Sequence, residues 1–314
     1  MLRKHALFAS VAALGVLVTS CGDDDPDPTP TPTSTSTATP TPTPTSSQVE
    51  FDLSQAFDAE STNANLSYAF FTADGGMDSV FSGATRTNGT AVIDLAFSPE
   101  SVSFGFPDLA DRVNFVGSEL VTGDAMRRIY QRTGERLELE VPFQYILRAS
   151  YDRVSDFTRD GTAGELDATR STLFFATVST SDDITGVLSY TGSFQVFGGD
   201  PGTTEEGTVS APDITVTVTP GATDNDPDEA SGTVQIFEAV NGVATLVASF
   251  PFEADINAAS GFSVAIEDEA RNIEGNLSGA LAGPNREEVL LIFSATSTET
   301  DNDTRYVGTF IGER

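Results

Sequence analysis

Four arginines cluster in the segment DAMRRIYQRTGER and form the densest group of cations in the sequence. They are Arg127, Arg128, Arg132 and Arg136, with Tyr130 between them. A guanidinium group binds a carboxylate or a phosphate through paired hydrogen bonds. The segment is therefore a candidate ligand-binding site. The alternative interpretation is that these arginines only neutralise neighbouring acids, because charge clusters on protein surfaces are usually solvated.

Three aspartates in the sequence DNDPDE have the spacing found at the start of a calcium-binding loop. They are Asp224, Asp226 and Asp228. An EF-hand is excluded, because its sixth position is Glu229 rather than glycine and its twelfth is Gln235 rather than an acid. Two interpretations stay open, a weak calcium site at a hairpin tip and a solvated loop. No other metal and no cofactor is predicted.

The only cysteine, Cys21, ends the sequence VTSC directly after a short apolar stretch. Arg3 and Lys4 precede that stretch, so residues 1–20 have the layout of a secretory signal peptide rather than of a membrane-spanning helix. The VTSC sequence is similar to a bacterial lipobox, whose cysteine is acylated. An incidental cysteine after an ordinary signal is the alternative. Because a lone thiol has no disulfide partner, we predict that Cys21 carries the lipid anchor.

The residues after the cysteine predict where the folded part is held. By analogy with known bacterial sorting signals, Gly22 directly after the cysteine favours the outer membrane, with the folded part at the cell surface or, alternatively, on the periplasmic face. Residues 21–48 contain repeated Thr-Pro pairs. Their prolines lack amide donors, and each threonine before a proline favours extended backbone. We therefore predict a disordered linker that holds the domain away from the membrane, at about 3.1 Å per residue.

The composition excludes several classes of chemistry. The chain has 47 acidic and 16 basic residues, a net charge of −31, and one histidine. Cleavage before Cys21 removes that histidine, His5, and the only lysine, Lys4. Without them there is no Ser-His-Asp relay, no imidazole metal ligand and no lysine Schiff base. Carboxylate chemistry is what remains, as in glycoside hydrolysis or calcium binding. The acidity also argues against nucleic acid as a partner.

Alternating apolar residues and closely spaced turn residues predict an all-β fold. Residues 184–314 contain eight short strands, which favour an eight-stranded antiparallel β-barrel, with a sandwich as the alternative. The seventh strand, around Leu290 and Ile292, is apolar on both faces. Residues 49–183 predict a less regular, open, handle-like antiparallel sheet beside the barrel. Its aromatic loop at Phe104 to Pro107 is a candidate contact surface.

The closing segment IEGNLSGALAGPNREEVLLIFSAT and the later YVGTFIGER carry a more specific pattern. Gly279, Gly283 and Pro284 form a Gly-x-x-x-Gly-Pro turn, a glutamate follows at Glu287 or Glu288, and a Gly-x-Phe strand ends the chain. This pattern resembles the closing strands of the transferrin-binding-protein-like bacterial surface lipoproteins of the Slam-dependent type. ITGVLSYTGSFQVFGG and STLFFATVSTSDD resemble the strands that precede them in that family.

The resemblance implies a single lobe made of a handle sheet and a barrel. It also implies a non-enzymatic surface lipoprotein that binds a host or environmental protein or a small solute. Such a role includes iron or nutrient acquisition with an outer-membrane transporter. Ala282 and the Leu290–Ile292 run depart from the family pattern, so transferrin specificity does not transfer. A structural or shielding lipoprotein is the main alternative, and a carbohydrate-active enzyme that uses carboxylates alone is a third.

Overall fold

Antiparallel strands make up nearly all of the regular structure, as the sequence predicts. The computed structural model describes residues 40–44, 50–223 and 226–314. In this part of the chain there is no α-helix, and the helical structure consists of two 3-10 turns, Gly117–Glu119 and Glu269–Arg271. No helix there is long and apolar enough to cross a membrane. The predicted signal peptide, Cys21 and most of the predicted linker lie outside the described residues.

Twelve strands precede the barrel region. They are β1 (Thr43–Pro44), β2 (Phe57–Thr62), β3 (Asn65–Ala73), β4 (Ser79–Thr87), β5 (Thr90–Phe97), β6 (Glu100–Gly105), β7 (Val113–Val116), β8 (Leu120–Gly123), β9 (Arg127–Arg132), β10 (Glu135–Glu140), β11 (Ile146–Arg159) and β12 (Thr162–Phe175). Nine strands follow, and they are β13 (Leu188–Gly199), β14 (Val209–Ser210), β15 (Ile214–Thr219), β16 (Glu229–Val240), β17 (Val243–Asp255), β18 (Gly261–Asp268), β19 (Ile273–Ala282), β20 (Glu288–Ser297) and β21 (Arg305–Glu313).

The region before the barrel is a sandwich of two sheets, which corrects the prediction of one open sheet. The five-stranded sheet has the order β1-β2-β5-β6-β7, and the seven-stranded sheet has the order β4-β3-β12-β11-β10-β9-β8. Alternate residues of the facing strands are apolar and fully buried between them, as with Ile93 and Phe104 on one sheet and Leu137 and Tyr151 on the other. The facing sides of the two sheets are apolar, and packing them against each other removes both from water.

All eight strands predicted for residues 184–314 are present. Their ladders run in the order β17-β16-β15-β13-β21-β20-β19-β18, and the short β14 is an additional strand paired with β16. The prediction of a fully closed, hydrogen-bonded cylinder needs a correction, because no ladder joins β17 to β18 in the described chain. At this seam the Ser249 amide donates to Asp268 Oδ2 at 2.9 Å. The carboxylate of Asp268 thus accepts a hydrogen bond from an amide that, in a ladder, would donate to a backbone carbonyl of the neighbouring strand. We call the eight strands the barrel.

Aromatic rings fill the inside of the barrel. The ring centroid of Phe194 lies 5.4 Å from that of Phe293 and 5.7 Å from that of Phe310, and Phe250 lies 6.3 Å from Phe293. All four side chains are buried. Eight strands enclose about enough space for side chains or one small ligand, and here side chains take it.

The outer face of the seventh predicted barrel strand, β20, packs against the seven-stranded sheet. Leu290 shares an apolar cluster with Ile146 and Leu173. Ile292 shares another with Leu66. This packing explains why the sequence of β20 is apolar on both faces, since its inner face points into the barrel and its outer face contacts the sheet.

A turn of the barrel fastens the two parts together. Gly283 has φ of 83°, and a Cβ there would lie 2.7 Å from the ring of Tyr145, so glycine is required by both conformation and space. The carbonyl of Pro284 accepts from the amides of Ser179 and Thr180 at 3.1 and 2.9 Å. The Gly-Pro turn singled out in the sequence is therefore the joint between sheet and barrel.

The described end of the predicted linker, residues 40–44, is ordered against the domain. Thr43 pairs with Thr62 of β2. The half-buried Arg86 donates from Nη2 to the carbonyl of Pro40 at 2.9 Å and from Nη1 to Ser278 Oγ at 2.8 Å. The prediction of an unfolded linker does not hold for this short piece, because Arg86 supplies donors that a Pro-rich segment lacks.

Candidate functional site

An open cleft lies between the seven-stranded sheet and the barrel. Its larger part has a volume of about 540 Å³, and an adjoining part has about 300 Å³. The two parts share the side chains of Tyr68, Asp152, Val196, Phe197 and Val209. We call the whole feature the sheet–barrel cleft.

Strand alternation builds the sheet wall of the larger part. Residues Arg127 of β9, Glu140 of β10 and Arg148 of β11 are directly opposite one another across the three strands. Four residues further along the same two strands, Arg136 of β10 is opposite Asp152 of β11, and Glu138 lies between Arg136 and Glu140 on the same face. Side chains two residues apart on a strand share a face. The register therefore places three arginines and three acids on one surface.

Ion pairs connect these side chains into a network. Glu138 pairs with both Arg127 and Arg136. Arg136 also donates to Asp152 at 3.1 Å. Burial lowers the pKa of the Arg136 guanidinium, but the hydrogen bonds to Glu138 and Asp152 raise it by more. The net pKa of Arg136 is therefore raised. The guanidinium of Arg136 is therefore held in place by two carboxylates before any ligand is present.

Arg148 is the most buried cation of the cleft. Its side chain is 7% exposed, and Nη1 donates to Glu140 Oε2 at 3.0 Å. No hydrogen-bond acceptor lies near its Nε in the described residues. Burial lowers the pKa of this guanidinium, although the carboxylate of Glu140 partly opposes the effect. A buried donor without an acceptor costs about 1–3 kcal/mol, so the fold loses stability by keeping this guanidinium at the wall of the cleft.

The smaller part of the cleft is acidic and aromatic. Tyr68 stacks on Phe197, with ring centroids 3.8 Å apart and 11° between the ring planes. Burial raises the pKa of the Tyr68 hydroxyl, and the carboxylates of Asp152 and Asp167 raise it further. Partial burial and the carboxylates of Asp152 and Glu206 also raise the pKa of Asp167. Negative charge is therefore concentrated here.

The acids of this smaller part have little cationic compensation. Arg136 pairs with Asp152. For Asp167, Glu205 and Glu206 the described part of the structure shows no ion pair with an arginine. We call these four residues, Asp152, Asp167, Glu205 and Glu206, the acidic arm. The arginine arm is Arg127, Arg136 and Arg148 with Glu138 and Glu140.

The structure brings only two of the five predicted ligand-binding residues into the cleft, Arg127 and Arg136. Arg128, Tyr130 and Arg132 point to the opposite face of the seven-stranded sheet. There the buried Arg128 pairs with Glu100 at 3.0 Å.

The other two residues on that face are also occupied by protein contacts. Arg132 pairs with Glu135 and lies 4.6 Å from the ring centroid of Phe115. Tyr130 is fully buried, burial raises its pKa to about 12, and its hydroxyl faces Glu100. A fully buried tyrosine cannot contact a ligand at the surface. The residues of the arginine segment are therefore divided between the two faces of the seven-stranded sheet, and only one of these faces lines the cleft.

The other sequence candidates lie elsewhere. Of the three possible calcium ligands, Asp224 is outside the described residues. Asp226 accepts from Thr223 at 3.0 Å, and Asp228 accepts from the Gly221 amide at 3.1 Å. Within the described residues no three acidic, histidine or cysteine side chains are arranged to hold a metal ion. The predicted aromatic contact loop is corrected, because Phe104 and Phe106 are buried in the sandwich core.

Several residues of the cleft are not singled out by the sequence reasoning. Glu138 and Glu140 carry a usable signal, because they alternate with Leu137 and Leu139 in the sequence ERLELE. Such alternation predicts that the glutamates share the face opposite the leucines. Tyr68 and Phe197 carry no such signal, since 128 intervening residues separate them and their contact depends on how sheet and barrel pack.

Comparisons with known proteins find low-identity structural neighbours. Transferrin binding protein B from serogroup B Neisseria meningitidis has a TM-score of 0.35 and 12% identity, over 79% of this chain and 43% of that one. This chain thus spans less than half of the Neisseria protein. A mutant transferrin binding protein B from Haemophilus parasuis has a TM-score of 0.27 and 8% identity, over 84% and 77%.

A DUF3598-family protein of unknown function from Nostoc punctiforme has a TM-score of 0.27 and 11% identity, over 80% of this chain and 95% of that one. No family model matches the sequence. No curated protein matches it either.

Proposed function

We propose that this chain is a lipid-anchored outer-membrane surface protein that binds a protein or solute ligand in the sheet–barrel cleft, without catalysis. The observation that carries the proposal is the cleft itself. It is open, it combines fixed charges with aromatic surface, and its wall includes the guanidinium of Arg148. Pockets with a few convergent polar groups are the usual places for ligands.

The anchoring part of the proposal rests on the sequence. The VTSC motif and the Thr-Pro linker support acylation of Cys21 and display on an extended spacer. The sequence resemblance of the closing strands supports a role in iron or nutrient acquisition together with an outer-membrane transporter. Mass spectrometry of the envelope-extracted protein tests the anchor. An N-terminal peptide that begins at an unmodified residue other than Cys21 would contradict it.

A capture experiment with a blocked cleft tests the binding part. Ser210 is exposed and lines the cleft, so Ser210→Trp places a bulky ring in it. Ser189 is equally exposed on β13 but does not line the cleft, so Ser189→Trp is the matched control. We expect the wild type and Ser189→Trp to retain the same ligand from the native surroundings and Ser210→Trp to lose it. Equal retention by Ser210→Trp would contradict the proposed site.

A further inference from the structure

The length of the cleft restricts what can fill both of its arms. Arg148 is opposite Leu173 on β12, and Asp167 lies six residues from Leu173 on the same strand and the same face. At about 3.3 Å per residue, Arg148 in the arginine arm and Asp167 in the acidic arm are about 20 Å apart along the strand. The two arms meet between these residues, where Arg136 pairs with Asp152. A ligand that contacts both Arg148 and Asp167 is therefore extended rather than compact. An extended peptide of about six residues has this length.

The barrel wall of the cleft also fits an extended chain. Val209, Ser210 and Ala211 line the larger part of the cleft. The first two form β14, which begins the strand order of its sheet and pairs only with β16. Its other edge lies beside β13 but forms no ladder with it in the described residues, and the cleft is lined by both strands. Unpaired strand edges are used to bind peptides through main-chain hydrogen bonds.

The charges of the two arms predict how an extended ligand is oriented in the cleft. The acidic arm has one ion-paired acid, Asp152, and three acids without an arginine partner, next to the Tyr68–Phe197 stack. Carboxylates beside an aromatic ring suit a lysine or arginine side chain. At the other arm, Arg148 lines the cleft and pairs with Glu140, and its guanidinium group suits a further carbonyl or carboxylate oxygen.

We propose that the sheet–barrel cleft binds an extended segment of a partner protein, with a lysine or arginine side chain in the acidic arm and a peptide oxygen on Arg148. This inference rests on the proposed function, and it adds the chemical class of the ligand. The cationic side chain neutralises Asp167 and Glu206, which repel each other in the free protein. Binding therefore weakens as salt concentration rises, because salt screens exposed charges.

Fluorescence anisotropy with the full chain and labelled hexapeptide pools tests this inference. The pools carry lysine, glutamine or glutamate at the first or the sixth position and are degenerate elsewhere. We expect a lysine pool to bind about tenfold more tightly than the matching glutamine pool, a difference of about 1.4 kcal/mol, and the glutamate pool to bind most weakly. Absence of saturable binding by any lysine pool up to about 1 mM would overturn the inference.

Variants locate the bound lysine. Asp167→Asn/Glu206→Gln should weaken lysine-pool binding about tenfold. Glu267→Gln/Glu274→Gln makes the same charge change at two exposed, cross-strand positions on β18 and β19, and it should leave binding within about twofold. Asp167→Asn alone should give a smaller loss, which keeps the test valid if the double variant misfolds. Equal binding by the acidic-arm and control variants would overturn the inference.

The two proposals fail in different ways. If all pools bind regardless of charge and Arg148→Met weakens the binding of all of them equally, the cleft is a binding site. The proposal of a lysine or arginine side chain in the acidic arm is then contradicted. If the capture experiment with Ser210→Trp shows no loss, the site itself is wrong. The peptide result and the capture result are therefore read separately.

Discussion

Tyr68 of the seven-stranded sheet and Phe197 of the barrel stack face to face at 3.8 Å, and this contact joins the two arms of the sheet–barrel cleft. Neighbouring apolar residues Leu66, Ile292 and Val307 are buried beside the stack. The rings therefore both hold the sheet against the barrel and form the floor on which a ligand would rest. We therefore expect changes to this pair to affect both the stability of the protein and its ligand binding.

Removing the barrel ring should destabilise the protein. Phe197→Ala deletes a half-buried ring and its stacking contact, so we expect a loss of about 2–3 kcal/mol in the free energy of unfolding. Phe157→Ala is the control, because Phe157 is 42% exposed and its ring contact is with Phe71 of the same sheet rather than with a barrel strand. Urea denaturation measures both variants. A loss for Phe197→Ala no larger than that for Phe157→Ala would contradict the role of the stack.

Adjacent arginines in the sequence should behave differently. Arg128 is buried, pairs with Glu100 and lies 4.7 Å from the ring centroid of Phe97, so Arg128→Met leaves a carboxylate without its partner. We expect a loss of about 2–3 kcal/mol. Arg127 is half exposed, so Arg127→Met should cost less than about 1 kcal/mol.

Combining stability and ligand capture separates the two roles. Arg127→Met should weaken capture while the protein stays folded, and Arg128→Met should mainly lower the unfolding temperature. The double variant Arg128→Met/Glu100→Leu should recover part of the lost stability, because no unpaired charge remains. If Arg127→Met and Arg128→Met lose equal stability, the assignment of the two residues to opposite faces is wrong.

A buried glutamate at the joint between sheet and barrel should make stability depend on pH. Glu288 is 2% exposed, and its Oε1 accepts from the amides of Gln144 and Tyr145, both at 2.8 Å. Burial raises the pKa of Glu288 from 4.5 to about 7, with a further contribution from Glu313. The folded protein therefore holds this proton more tightly than the unfolded chain does.

The sign of the effect follows from that difference. The contribution of Glu288 is fully present below pH 4.5 and is lost as pH rises through about 7. At 1.36 kcal/mol per pKa unit, the loss is about 3 kcal/mol. Glu288→Gln should remove this part of the pH dependence and gain stability over the wild type at alkaline pH. Glu274→Gln, on an exposed position of β19, is the control. A wild-type profile parallel to that of Glu288→Gln would rule the effect out.

Arg86 should hold residues 40–44 against the domain. Its Nη2 donates to the carbonyls of Pro40 and Asn63, and burial lowers its pKa to about 10. Arg86→Met removes the donors, so we expect the Thr43 amide to exchange its hydrogen about tenfold faster, by local opening of the β1–β2 pair. Exchange at Ile93, in the same sheet, serves as the internal reference. Unchanged exchange at Thr43 would show that Arg86 does not fasten this segment.

Many strands of the fold are predictable from the alternation of apolar and polar residues. Residues such as Val216 and Val218 on one face, with threonines between them, define a strand by themselves. The seam of the barrel is not predictable in this way, because the alternation in β17 and β18 does not show that they form no ladder or that the Asp268 carboxylate accepts from Ser249 there. The run VPFQYILRASYDRVSDF predicts one buried strand, yet only the first half of β11 is buried. The second half extends past the sandwich core, which sequence composition does not show.

The candidate site is predictable only in part. The arginine segment is visible in the sequence, and strand alternation separates Arg127 from Arg128 once β9 is recognised. The opposite wall of the cleft comes from Phe197 and Val209 on the barrel, far away in the chain. Contacts of that kind depend on the docking of the two parts through Gly283 and Glu288, so local patterns do not contain them.

Site-specific photo-crosslinking in the native envelope tests the central claim most directly. A photoreactive amino acid replaces Ser210, which lines the cleft, or Glu267, which is exposed on the outer face of β18. The account predicts a discrete adduct from position 210, with a crosslinked peptide that contains a lysine or arginine, and no adduct from position 267. Adducts of equal yield from both positions, or an adduct from position 267 alone, would contradict it.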